Sequence, residues 1–161
     1  MKVFSAEYLN ELTQQAKFAP RQRQHRNIHQ DYLDPCQRMF NAIEPHSYIP
    51  PHRHSAVPRD ELLIAIRGLM ALVTFDDQGQ INHVLRFGSE TYGAELAAGA
   101  EVSSDTWHTV IALEPGSVLL EVKAGPFDAG HAKEVAPWAP EENSIQAAAF
   151  LLQFSSITPS P

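Results

Sequence analysis

Residues 50–68 read PPHRHSAVPRDELLIAIRG, and this stretch decides the fold. Successive side chains of a strand point to opposite faces, so residues two apart share one. Pro50 and Pro51 favour extended backbone. His52 and His54 therefore project to the same side and Arg53 to the other, which suits Arg53 to an external ion pair. Glu61 then opens the apolar run LLIAI. A carboxylate at the entry of a buried strand is costly unless it is paired or bound to a metal. LLIAI is apolar on both of its alternating faces, whereas a half-exposed antiparallel strand would alternate. Its outer face is expected to be covered, by the N-terminal segment or by a second subunit, and a homodimer follows as the expectation.

Outward from this stretch the strand signal continues. MALVTF follows Gly68, INHVLRF follows the turn DDQGQ, and WHTVIAL and SVLLEVK are joined by EPG. Short strands linked by tight turns, with no helices between them, predict an antiparallel sandwich or barrel. At the N-terminus Ser5, Glu7, Leu9, Leu12 and Ala16 read as a short capped amphipathic helix ended by Pro20. Residues 21–49 have no clear period and are expected to be irregular or isolated strands. Residues 124–140 form a proline- and glycine-rich loop, EENSIQAAAFLLQF reads as a C-terminal helix, and SSITPSP as a frayed tail. The expected organisation is a single domain: helix and arm over 1–50, barrel core over 51–128, C-terminal loop and helix over 129–161.

A chain of 161 residues suits one domain and buries a core without covalent staples. The net charge of −7, with no basic cluster beyond Arg21, Arg23 and Arg26, argues against a nucleic-acid partner. The lone cysteine, Cys36, excludes an internal disulfide and fits a reducing compartment. The N-terminus is too polar for a secretory leader, and no apolar run approaches the ~20 residues of a membrane helix. A cytoplasmic location without a membrane partner is expected.

His108, in DTWHTVIAL, is a fourth candidate beside His52, His54 and Glu61, and shares its strand face with Val110 and Ala112. Three imidazoles and a carboxylate make a mixed N/O donor set suited to Fe(II), Mn(II), Ni(II) or Zn(II), with positions left open. Glu121 and Lys123 share a strand face with Leu119, which fits either one of them facing the cavity or an exposed strand end. His29 is a candidate contact near the metal. Gln37 and Arg38 read as anchors of the N-terminal segment, and Trp107, on the face opposite His108, as packing.

The order HxH, Glu, six residues, Gly, then a late strand histidine is similar to the two metal-binding motifs of the cupin superfamily, here over 52–68 and 104–112. More closely, RNIH (26–29), QRMFNAIEP (37–45), PHRH (51–54), WHTVIALEPGSVLLEVKAGPFD (107–128) and APWAP (136–140) resemble the WbuC-type cupin-fold metalloproteins, over about residues 5–140. The resemblance implies an all-β, antiparallel jelly-roll barrel with short N- and C-terminal helices. It also implies one divalent transition metal (Zn, Fe, Ni or Mn) held by His52, His54, Glu61 and His108. The pattern departs from the cupin norm in places. Glu61 follows His54 by seven residues rather than four or five, His46 stands for a glycine, Ser104-Asp105 for Pro-Gly, and Ala112 for an asparagine.

The resemblance points to surface-polysaccharide (O-antigen) biosynthesis, hence a small ligand such as a sugar or nucleotide sugar. A metal-dependent isomerase or epimerase would need a proton shuttle, for which Glu121 and His29 are the candidates; an oxygenase would need Fe(II) instead. Two alternatives stand beside this reading. One is a non-catalytic metal-containing binding or sensor module. The other is a metal-free epimerase using a histidine–aspartate pair.

Overall fold

A computed structural model describes residues 1–154 and places them in two five-stranded sheets and two helices. The elements are α1 (Ala6–Phe18), β1 (Arg23–Asn27), β2 (Cys36–Ile43), β3 (His52–Arg53), β4 (Glu61–Arg67), β5 (Leu69–Phe75), β6 (Ile81–Gly88), β7 (Gly99–Val102), β8 (Trp107–Ala112), β9 (Ser117–Ala124), β10 (Glu134–Val135) and α2 (Ile145–Leu152). One sheet has the order β1-β2-β9-β4-β7, the other β10-β3-β8-β5-β6, and every strand pair within them is antiparallel. This is the cupin-type jelly roll.

Alternation along the strands builds the interior. Leu63 and Ala65 of β4, Leu119 of β9 and Ile43 of β2 meet Met70 and Leu72 of β5, Phe87 of β6 and Val110 of β8. The two sheets thereby share one apolar core that closes one end of the barrel. Between β4 and β5 the chain turns at Gly68 with φ of +82°, and a Cβ there would fall 2.8 Å from the Ser117 Cα. Only glycine combines that dihedral with that approach.

The doubly apolar strand is β5, buried at nearly every position. Its outer residues Leu69, Ala71, Val73 and Phe75 pack with Trp107 and Ile111 under Trp138, Phe150 and Phe154. The C-terminal segment is therefore the cover of the second sheet. α1, capped by the Ser5 hydroxyl accepting from the Tyr8 N–H, lays Leu9, Leu12 and Ala16 on Phe40, Ala42 and Val118. It covers β2 and β9. The outer face of β4 is left open in the monomer, with Leu62 37% and Ile66 38% exposed, so the N-terminal segment is not its cover.

Residues 21–49 correct the expectation of irregular structure. β2 pairs with β9 along its whole length and β1 pairs with β2, so both belong to the barrel wall although they lie within 1–50. Their inward positions Arg23, His25, Asn27, Gln37 and Asn41 are polar because they line a cavity, and the apolar period was absent for that reason. α2 is shorter than the stretch read from sequence and starts at the Ser144 cap. The tail 155–161, read as frayed, lies outside the described residues.

Candidate metal centre

Strand register assembles the site at the end of the barrel opposite its apolar core. In the first sheet, Lys123 of β9 lies between Glu61 of β4 and Gln37 of β2; in the next inward row, Glu121 lies between Leu63 and Met39. In the second sheet, His52 of β3 faces His108 of β8. His54 follows β3, and its backbone N–H donates to the Ser104 carbonyl. One ligand atom from each of His52, His54, Glu61 and His108 lies within 4.8 Å of the others.

Each imidazole has its Nδ1 against a backbone carbonyl: His52 on Pro50 at 2.9 Å, His54 on Ala132 at 2.6 Å, His108 on Thr106 at 2.9 Å. A carbonyl only accepts, so Nδ1 carries the hydrogen, and the neutral ring leaves the Nε2 lone pair bare. The Nε2 of His54 lies 3.0 Å from Glu61 Oε1 and that of His108 3.1 Å from Oε2. In the neutral tautomers these are lone pairs facing lone pairs, and a positive charge belongs between them. The His54 Nε2 is buried without hydrogen-bonding geometry to any partner. Burial first, then the neighbouring His108 ring, hold His52 well below the ordinary histidine range, which disfavours a proton there. Three oriented imidazoles and a carboxylate fit a shared divalent ion, and the carbonyls behind the rings are the outer contacts that aim such ligands. The cluster can hold a metal.

Glu61 is 4% exposed, and burial alone would push its carboxyl up. Where His108 and His54 carry a second proton at Nε2, their hydrogen bonds, and then the Lys123 ammonium, outweigh burial and hold it well below the usual range; with neutral rings the compensating charge beside Glu61 is that of Lys123. Lys123 Nζ donates to both Glu61 Oε1 and Glu121 Oε1 at 2.7 Å. Burial, followed by the Glu61 charge, pushes the Glu121 carboxyl up. The four clustered residues and this Lys123–Glu121 pair open onto a cavity of about 330 Å³.

A family model described as "Domain of unknown function (DUF6016)" matches residues 4–87. The chain belongs to the DUF6016 family. No curated protein matches it by sequence. Among solved structures, KdgF from Halomonas sp. aligns at TM-score 0.50 and 15% identity, covering 70% of this chain and 86% of that one. An oxalate oxidase in complex with the substrate analogue glycolate aligns at 0.55 and 8%, covering 75% and 58%. A single-site mutant of Bacillus subtilis oxalate decarboxylase aligns at 0.51 and 16%, covering 70% of this chain and 27% of that larger one. At these identities the likeness establishes the fold, and the DUF6016 chain shares it.

Of the residues singled out from sequence, His52, His54, Glu61 and His108 are brought together by the DUF6016 barrel. Glu121 and Lys123 both face the cavity. His29 is buried behind the wall: its Nδ1 accepts from the Arg38 N–H at 3.0 Å, and it is not among the cavity-lining residues. Arg53 points outward, forks onto Glu134 at 2.8 and 3.0 Å and stacks on Trp107 at 4.1 Å from the ring centroid. Gln37 Nε2 donates to the Tyr32 and Asp34 carbonyls. Sequence reasoning missed Arg21, Arg23, Asn41 and Lys133 as lining residues. Alternation within RQHRN (23–27) and QRMFN (37–41) was the available signal. Lys133 had none, because it is carried by the irregular segment after β9. Among the described residues no helix is long and apolar enough to cross a membrane.

Proposed function

We propose that this DUF6016 protein is a metal-dependent enzyme acting on a small polar molecule, with His52, His54, Glu61 and His108 as the ligands of one divalent transition metal (Zn, Fe, Ni or Mn). The observation that carries the reading is the convergence of three carbonyl-oriented imidazoles and an ionised carboxylate at the wall of a cavity with polar sides. When bound, the ion supplies Lewis acidity toward a substrate carbonyl or hydroxyl. Lys123 fixes the Glu61 carboxylate in place and carries Glu121 at its other side. Of the two candidate proton carriers, Glu121 is the better placed, since it lines the cavity whereas His29 has its ring nitrogen committed to the Arg38 backbone.

The WbuC-type resemblance supports sugars or nucleotide sugars of surface-polysaccharide (O-antigen) biosynthesis as the substrate pool. A cavity of about 330 Å³ is at the low end of ligand pockets, so a nucleotide sugar would keep its nucleotide outside. The outward Leu62 and Ile66 of β4 support a homodimer through that face. The lone cysteine, Cys36, supports a reducing compartment such as the cytoplasm. The testing experiment incubates metal-loaded, metal-stripped and Glu121→Gln protein with a panel of sugars and nucleotide sugars, with and without dioxygen, and follows the substrates by NMR. Conversion by the loaded protein alone, slowed by Glu121→Gln, supports the enzyme. Saturable binding without any conversion would replace it with the sensor or binding module.

A further inference from the structure

The chain carries a net charge of −7, yet four cationic side chains, Arg21, Arg23, Lys123 and Lys133, line the metal-site cavity against two carboxylates, Glu61 and Glu121. Lys123 is used up by both carboxylates at 2.7 Å. Arg23 is held at 2.7 Å by Glu142, which is not itself a lining residue, lies 4.0 Å from Arg21 and also acts by its charge on Lys133. Lys133 has no ion-pair partner among the described residues. With Glu142 counted, four cations stand against three carboxylates, so the mouth keeps one cationic charge in excess. The neighbouring titrations agree: partial desolvation first, then the guanidiniums of Arg21 and Arg23, lower His25 below the ordinary histidine range. A concave site of one sign concentrates ligands of the other.

The same cavity holds unused acceptors. Gln37 is 1% exposed; its Nε2 is committed to two carbonyls, and its Oε1 is left without a partner. Asn41 Oδ1 is likewise buried and unpartnered. A buried acceptor without a donor costs free energy that a ligand hydroxyl would recover.

We infer that the cavity takes a small hydroxylated acid, whose anionic group sits among Arg21, Arg23 and Lys133 and whose hydroxyls donate to Gln37 and Asn41. This names the ligand class of the proposed enzyme and rests on that reading for the metal beside it. It separates the ligand from neutral sugars of the same size. A carboxylate and a phosphate ester share the needed chemistry, and the test distinguishes them.

The test titrates D-gluconate, sorbitol 6-phosphate and sorbitol, which share one carbon skeleton, into the protein by calorimetry at fixed ionic strength. Metal content is measured on the same samples. At least one acid is expected to bind about tenfold or more tighter than sorbitol, and which acid wins identifies the anionic group. Arg21→Gln/Lys133→Gln, at two exposed rim positions, is expected to weaken the winning acid about tenfold and leave sorbitol unchanged. Equal binding of acids and sorbitol, no binding of any of the three, or acid binding indifferent to the double variant overturns the inference. If the protein takes up no metal but keeps the acid preference and its loss in the variant, the metal reading fails while this one stands. Metal-loaded protein without the preference fails this one alone.

Discussion

Lys123 is the keystone of the polar end of the barrel, and replacing it with methionine gives a magnitude that can be worked from the structure. Its side chain is 12% exposed and donates at 2.7 Å to Glu61, 4% exposed, and to Glu121, 15% exposed. It is the only lysine or arginine within 4 Å of either carboxylate among the described residues. Methionine keeps most of the volume, so packing survives and the lost quantity is the charge. Removing one partner of a buried pair costs about 3–5 kcal/mol, because the remaining charge stays buried without compensation. For a chain of this length each kcal/mol lowers Tm by roughly 2–4 °C, which gives a fall of roughly 6–20 °C in metal-free protein. The assay is urea denaturation followed by circular dichroism, with a chelator present and then with saturating metal. Saturating metal should reduce the loss, since an ion among the histidines would compensate Glu61. In the Lys123→Met/Glu121→Gln double variant the second change removes one of the stranded carboxylates, so it should be less unstable than Lys123→Met alone. A loss under about 1 kcal/mol in Lys123→Met, or a double variant as unstable as the sum of the single ones, refutes the reasoning.

Phe87, fully buried between the two sheets, should lose about 3–5 kcal/mol on replacement by alanine in a thermal or urea melt, and a loss below 1 kcal/mol would mean it is not part of the core. Tyr48 is 6% exposed and its hydroxyl donates to the Pro140 carbonyl at 2.9 Å. Burial, then the Glu142 charge, push its phenol up to about 12. The neutral phenol is the favoured form in the fold, so its stabilisation is complete below the ordinary value of about 10 and lost as pH rises through about 12. A phenolate absorbance titration of wild type minus Tyr48→Phe should therefore show one late-titrating group; a difference curve centred near 10 would contradict this.

The β-rich architecture and the shared face of His52 and His54 were legible because both depend on alternation, whereas Glu61 and His108 were joined to them by the resemblance to the cupin motifs. His52 and His54 share a face by parity, and His108 belongs to a strand whose inward residues Val110 and Ala112 enter the core. β1 and β2 were not legible, since their inward positions face a polar cavity and carry no apolar period. The N-terminal segment does not cover LLIAI: Leu62 and Ile66 stay exposed in the single chain, which leaves the second-subunit alternative, while MALVTF is the strand that the C-terminal segment buries. Which end of the chain folds back over which sheet is a tertiary outcome that local pattern does not encode. Lys133 reaches the cavity from an irregular segment tied down by the pairing of β10 with β3, a contact between residues about 80 apart.

The central claim is that the histidines and Glu61 hold a metal, and elemental mass spectrometry of the purified and anaerobically reloaded protein tests it most directly. The wild-type chain is expected to carry about one divalent transition metal per chain. The His52→Ala/His54→Ala variant, folded by circular dichroism, is expected to carry essentially none. A folded wild type that takes up no transition metal, or a double variant that retains it, would contradict the account.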